Sequence, residues 1–318
     1  MPFDVSTLVN YVIENTDVLV TKSIFGARTS DLLRSEGTVM TGIKFAEQIN
    51  QLDTDAIFQD GAGCTRTSSG TTRITQRKIT VGNIAVVEDL CVKDLRSKYL
   101  SKVLAKGSQE NEIPFEQDYT ELKTKTIAKQ LEVAIWQGDT TSGNANLSRF
   151  DGFIKLLDTA AASVNGNPTA ITVATGITSA NIKGIVDGMW QDLPADVLGQ
   201  DDIRVFCGWD VFSVFIAAYR DQNLFNFAPT GSEVKMENGE VIIPGTNYKL
   251  TAVHGLDQTK RLFTARMSNL YGGTDLENEE EDFDLIPDQF KDYLRFKAAF
   301  KYGVQVAFPN EVVSFKLV

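Results

Sequence analysis

Residues 52–92, beginning LDTDAIFQDGAGC, constrain this chain more than any other stretch, because they read as extended backbone with no apolar face. In RITQRKITV, Ile74, Gln76, Lys78 and Thr80 alternate with Thr75, Arg77, Ile79 and Val81, and many of these residues are β-branched. DGAGC and SSGTT carry turn chemistry. The pattern predicts a long two-stranded ribbon with its tip near residues 66–72 and faces of Thr, Ser, Arg, Gln and Lys. An isolated ribbon of two strands is at best marginally stable in water. Something else must steady it: a sheet, a helix or another molecule. Arg66, Arg73, Arg77 and Lys78 are its candidate contact residues.

Behind the ribbon, KDLRSKYLSKVLAKG predicts a short helix stopped by Gly107. A rod follows at 115–137. Phe115, Tyr119, Leu122, Ile127, Leu131 and Ile135 form one stripe at steps of three to five, and Gly138 ends it. Glu116 and Asp118 sit in its first turn, where the helix dipole favours anions. Such a helix spans roughly 35 Å at 1.5 Å per residue, enough to brace a whole domain.

From about Phe150 the texture becomes α/β. TSANIKGIVDGMWQDLP is a capped helix with Ile182, Ile185, Val186, Met189 and Leu193 inward. IRVFCG is a continuously apolar strand suited to burial on both faces. An aromatic-rich helix, WDVFSVFIAAYRDQ, and further strands follow, so residues 150–271 can bury a core of their own. FNFAPTGSEVKMENG is an exposed connection that adds Phe225 and Phe227 to the contact candidates. The tail alternates again in LRFKAAFKYGVQVAF. The rod's stripe needs a partner sheet, so the tail is expected to return and cover it. The class is α+β, with the middle unit inserted into the other.

Chemistry is sparse. A net charge of −11 argues against a basic face that grips phosphates. No run of 18 apolar residues offers a membrane span, and MPFDVSTLVNYVIENTD does not have the form of a signal peptide. The cysteines Cys64, Cys91 and Cys207 make neither a CxxC pair nor a zinc pattern. Buried thiols are expected, with a Cys64–Cys91 bridge left open. The single histidine, His254, reads as structural, in a strand running into a turn. The cluster TDLENEEEDFD offers Asp275, Glu277, Glu279 and Asp282 as oxygen ligands for a hard cation. It lacks the calcium-loop glycine pattern and reads first as a solvated loop. No catalytic constellation and no cofactor-binding motif emerges, and Trp136, Trp190 and Trp209 read as core or interface packing.

The order of parts resembles the major capsid protein of tailed double-stranded-DNA bacteriophages, the Hong Kong 97 fold. The residues that carry the resemblance are the ribbon, a rod ending in AIWQGDT, then FDGFI, FCGWDVFSVFIAAYRDQ, and LYGGTDLENEEEDFDLIPD followed by FKYGVQVAFPNEVVSF. The run FQDGAGC, ITQRKITV, VVEDLC is similar to capsid proteins of phages of Bacteroidetes, including the crAss-like group. The resemblance implies an N-arm at 1–45 and an E-loop at 50–92 lying over an adjacent subunit. It also implies a P-domain of 93–149 and 272–318 with 115–137 as its spine helix, and an A-domain at 150–271. It further implies a non-enzymatic protein that assembles with itself into hexamers and pentamers around double-stranded DNA, in the host bacterial cytoplasm. No long helical leader precedes the arm, so a separate scaffolding protein is expected, with a portal and decoration proteins as further partners. Two other readings stay open: an encapsulin-type nanocompartment shell, and a metal-dependent hydrolase built on the acidic cluster.

Overall fold

The structure is a computed structural model that describes residues 27–60, 67–91, 115–160, 163–167, 171–221, 239–243, 245–275, 284–288 and 293–318. The helix read at 93–107, and the side chains of Phe115, Tyr119 and Leu122, lie outside the described residues.

A short helix, α1 (Arg28–Ser35), opens the described chain and buries Leu33. The strands β1 (Thr38–Met40), β2 (Ala46–Thr54), β3 (Thr72–Thr80) and β4 (Gly82–Cys91) follow, then the long helix α2 (Phe115–Gln137). The ribbon is β2 paired antiparallel with β3, from Ala46 opposite Thr80 to Thr54 opposite Thr72. It begins earlier in the chain than sequence pattern alone suggested. β4 leaves the ribbon altogether. It pairs antiparallel with β12 (Tyr293–Val306) over ten residue pairs, from Tyr293 opposite Cys91 to Tyr302 opposite Gly82.

The change of partner happens at Val81 and Gly82. Val81 is buried and still donates its N–H to Phe45 O at 3.1 Å. A Cβ on Gly82 would stand 2.0 Å from Arg149 O, so only glycine lets the backbone pass from the ribbon into the sheet built on β12.

β12 organises a five-stranded sheet with β1, β4, β10 (Leu270–Thr274) and β11 (Asp284–Asp288). Its alternation sends Phe296, Ala298, Phe300, Tyr302, Val304 and Val306 into one core, where Ile127, Leu131, Ala134 and Ile135 of α2 meet them. The tail therefore covers the rod as expected. Burial pushes the Tyr302 hydroxyl up to about 12.

A second sheet has six strands in the order β5 (Val164–Asn165), β13 (Val313–Phe315), β9 (Leu262–Arg266), β6 (Ile203–Cys207), β8 (Lys249–Ala252), β7 (Glu240–Ile242). Every residue of β6 is buried. One face of this sheet packs on α4 (Ile182–Gln191) and α5 (Trp209–Asp221). Its other face, through Phe206 and Phe263, joins the core of α2 and α3 (Phe153–Thr159). Trp136 is the hinge pin, with ring centroids 5.2 Å from Phe153, 5.2 Å from Phe206 and 5.7 Å from Phe263. The last strand, β13, lies in this six-stranded sheet rather than with β12, so the tail serves both sheets.

Candidate subunit-contact surface

Among the described residues the ribbon is anchored at its base. Ile49 and Ile79 are buried with Ile43, Val81 and Ala307. Gln51 donates to Ala307 O, and Gln305 Nε2 donates to Lys78 O at 2.7 Å. These residues share one face of the ribbon with Arg73 and Arg77, since side chains alternate and opposed residues project together. Partial burial holds the Arg77 guanidinium below the usual arginine value.

The opposite face carries Gln48, Asn50, Leu52 and Thr54 against Lys78, Gln76, Ile74 and Thr72. Gln76 Nε2 donates to Asn50 Oδ1 at 2.8 Å, and the Thr54 and Thr72 hydroxyls stand 3.0 Å apart. Between these polar rungs sits an apolar one: Leu52 and Ile74 are directly opposed and 63% and 70% exposed. Towards the tip, Ile57 and Phe58 are exposed as well. At the base the Lys78 ammonium lies 5.8 Å from the Phe45 ring centroid. Asp55 orders the tip by accepting the N–H of Thr71, beside Gly70 at φ +97°. Arg73 and Lys78 are exposed, Arg77 is half-buried, and Arg66, Phe225 and Phe227 lie outside the described residues. The sequence named the cations and missed Leu52, Ile74 and Phe58. Strict alternation from Ala46 onward would have placed Leu52 outward.

Groups that could suggest chemistry have structural partners. His254 Nδ1 lies 2.9 Å from Asp257 Oδ2, and its ring stacks on Trp209 at 5.5 Å. The histidine is exposed, and it stands in a 3-10 turn after β8. Trp136 is core, whereas Trp190 is 40% exposed and meets Tyr248 edge-on. Cys207 is a buried free thiol, and burial pushes it up. Asp275, the one described member of the acidic cluster considered for metal binding, is taken by Lys301. Glu277, Glu279 and Asp282, and the side chains of Cys64 and Cys91, lie outside the described residues. Among the described residues no group of three or more His, Cys, Asp or Glu is placed to hold a metal ion. Behind α2, Lys155 bridges Asp139 at 2.7 Å and Asp151 at 2.8 Å. With Thr141 it holds the Asp139 carboxyl at about 2. No described helix is long and apolar enough to cross a membrane.

No family model and no curated protein matches the chain by sequence. Solved structures do match. A chain of the satellite phage P4 procapsid is similar over 100% of this chain and 98% of its own, with a TM-score of 0.59 at 10% identity. The capsid of Myoviridae phage XM1 matches over 90% and 91%, with a TM-score of 0.56 at 13% identity. The capsid of a native GTA particle matches over 90% and 96%, with a TM-score of 0.54 at 12% identity. The fold is that of a phage capsid protein, Hong Kong 97-like. The likeness covers nine-tenths or more of the chain in each case.

Proposed function

We propose that the chain is a structural major capsid protein. It assembles with itself, as hexamers and pentamers, into an icosahedral shell that encloses a double-stranded DNA phage genome. The observation that carries this reading is the ribbon's exposed Leu52–Ile74 face within a capsid fold matched from end to end. Among the described residues that face is exposed, and a neighbouring molecule lying on it would remove it from water. At ~25 cal/mol per Å², burying two such side chains contributes on the order of 2 kcal/mol per contact. Heterologous contacts of this kind close into rings and shells.

On this reading the ribbon with its base is the E-loop, α2 the spine of the P-domain, residues 150–271 the body of the A-domain, and residues 1–45 the N-arm. A separate scaffolding protein, a portal and decoration proteins are its expected partners. Assembly takes place in the bacterial cytoplasm, and the similarity to phages of Bacteroidetes rests on the residue runs quoted above. Negative-stain microscopy and sedimentation of the purified full chain test the proposal. Rings, sheets or shells are expected. A monodisperse monomer at high concentration, with and without molecular crowding, would remove it. The encapsulin reading is separated by the contents of particles from the native source: DNA for a capsid, enzyme for a nanocompartment.

A further inference from the structure

A groove of about 1230 Å³ is bounded by α2, from Thr124 to Gln137, and by the turn after β8, from His254 to Thr259. At 1.5 Å per residue its helical wall is about 20 Å long. The volume exceeds the ~300–1,000 Å³ of a small-molecule site. The length suits about six residues of extended chain at ~3.3 Å each.

The acids that line the groove are already spent. Glu132 is 3% exposed; its Oε2 accepts the Thr29 N–H at 2.8 Å, and its Oε1 accepts the Thr29 hydroxyl at 2.5 Å. The Trp136 indole N–H donates to the same hydroxyl at 2.8 Å. Asp257 Oδ2 lies 2.9 Å from His254 Nδ1, and its Oδ1 accepts the Trp209 N–H at 2.7 Å. Among the cations, Arg28 is used by Ala252 O and Glu240. Lys125 and Lys129 are exposed along the rim, and Lys129 makes no hydrogen bond or ion pair with a described residue. One row inward lie Thr124 and Ala128. Thr124 is 5% exposed, and its hydroxyl has no hydrogen-bond partner among the described residues. Buried polar groups are normally paired, so this hydroxyl marks an unfinished contact in the groove wall. On a chain of net charge −11, the groove therefore offers positive charge, small side chains and one unmet hydroxyl.

Spacing narrows the occupant. Lys125 and Lys129 are one helical turn apart, ~6 Å along the axis. In an extended strand alternate side chains project to the same side, ~6.6 Å apart. Carboxylates at every second residue of an extended peptide would therefore meet both ammoniums. The sequence holds one run with acids at three successive alternate positions, LENEEEDFD, with Glu277, Glu279 and Glu281.

We propose that the groove is an interaction surface for a second copy of this chain. Its occupant is the acidic run around Glu277, Glu279 and Glu281, taken up as an extended strand. Carboxylates of that run pair with Lys125 and Lys129, and the Thr124 hydroxyl bonds the bound backbone. The inference rests on the capsid reading in that it names one contact between copies, but its test needs no particle.

Fluorescence anisotropy of a labelled synthetic peptide, residues 274–285, titrated with the full chain below its assembly concentration tests the proposal. Wild type is expected to bind, and reversing both rim cations, Lys125→Glu with Lys129→Glu, to weaken binding at least tenfold. The reversed chain should in turn prefer a peptide with Glu277→Lys, Glu279→Lys and Glu281→Lys, a gain that misfolding cannot produce. Lys316→Glu, at an exposed cation just beyond β13, serves as the control and should bind like wild type. No binding at millimolar peptide, equal binding by wild type and the reversed chain, or a reversed chain indifferent to the lysine peptide overturns the proposal. Duplex DNA binding to wild type in place of the peptide would assign the groove to phosphate and overturn it too. Particles that form while these arms fail remove the groove assignment alone; peptide binding without particles at any concentration removes the capsid reading alone.

Discussion

Arg204 clasps Glu36 across 168 residues of sequence, with Nε on Oε2 at 2.6 Å and Nη2 on Oε1 at 2.5 Å. The arginine side chain is 3% exposed in the middle of the six-stranded sheet, and Glu36 is the residue just beyond α1. Nη1 also reaches Glu240 and the Thr251 hydroxyl, each at 3.0 Å. A fork-to-fork pair of this kind fixes direction as well as distance. It pins the C-terminal end of α1 to the six-stranded sheet, while Glu132 pins the N-terminal end to α2.

Removing one partner leaves a buried guanidinium short of charge, and a fully buried pair broken that way costs about 3–5 kcal/mol. Glu36 is 37% exposed and Glu240 remains, so Glu36→Gln is expected to destabilise by only about 1–2 kcal/mol. Hydrogen bonding to Arg204 is the largest cause holding the Glu36 carboxyl below its ordinary 4.5. Its contribution is therefore present above that value and lost as pH falls through the depressed one. Denaturant unfolding of wild type and Glu36→Gln should differ at pH 7 and converge in acid. A gap that persists unchanged at pH 2–3 would contradict the assignment.

The contacts at the two ends of α1 were not legible in the sequence. Glu132 sits between Leu131 and Val133 and looks like an ordinary polar break in an apolar stripe. Only the arrival of Thr29 from 103 residues away makes it a buried cap. The rod itself was legible, because Ile127, Leu131 and Ile135 keep helical spacing and Gly138 stops them. The ribbon was half legible. Residues 72–91 are continuously β-like, and nothing local reveals that β3 pairs with β2 while β4 pairs with β12. That decision is tertiary, made by the buried Val81 and by the space Gly82 leaves for Arg149.

Gly255 gives a sharper packing prediction. A Cβ there would lie 2.2 Å from the Trp136 ring and 2.5 Å from Glu132 O, so the turn and α2 touch backbone to backbone. Overpacking a well-filled core costs typically ~1–3 kcal/mol, and a backbone clash belongs at the upper end. Gly255→Ala is expected to lose about 3 kcal/mol by denaturant unfolding. A loss below ~1 kcal/mol would mean that the turn can move away without penalty.

Trp136→Phe separates packing from hydrogen bonding. The phenyl ring keeps most contacts with Phe153, Phe206 and Phe263 but removes the donor to Thr29. A loss of about 2 kcal/mol is expected from the smaller ring and the lost bond together. Adding Thr29→Val to this variant should cost less than Thr29→Val alone in wild type, because the shared bond is already gone. Strict additivity in the double-mutant cycle would show that the indole and the hydroxyl do not act together.

The ribbon offers the prediction most closely tied to assembly. Leu52 and Ile74 face each other, exposed, so each contributes little to the isolated chain. Replacing both by serine should change unfolding free energy by no more than about 0.5 kcal/mol, the usual range for surface positions. If another copy covers this rung, the same change removes on the order of 2 kcal/mol from every contact. Each 1.4 kcal/mol corresponds to a tenfold shift in the contact equilibrium. The concentration at which particles form, read by light scattering, should therefore rise more than tenfold while the monomer's melting curve stays in place. Substituting Thr54 and Thr72, one rung further out, by serine serves as the control and should leave assembly nearly unchanged. Normal assembly of the Leu52→Ser, Ile74→Ser chain would mean that the apolar rung faces solvent in the particle and that the ribbon is held by its other face, which carries Arg73 and Arg77.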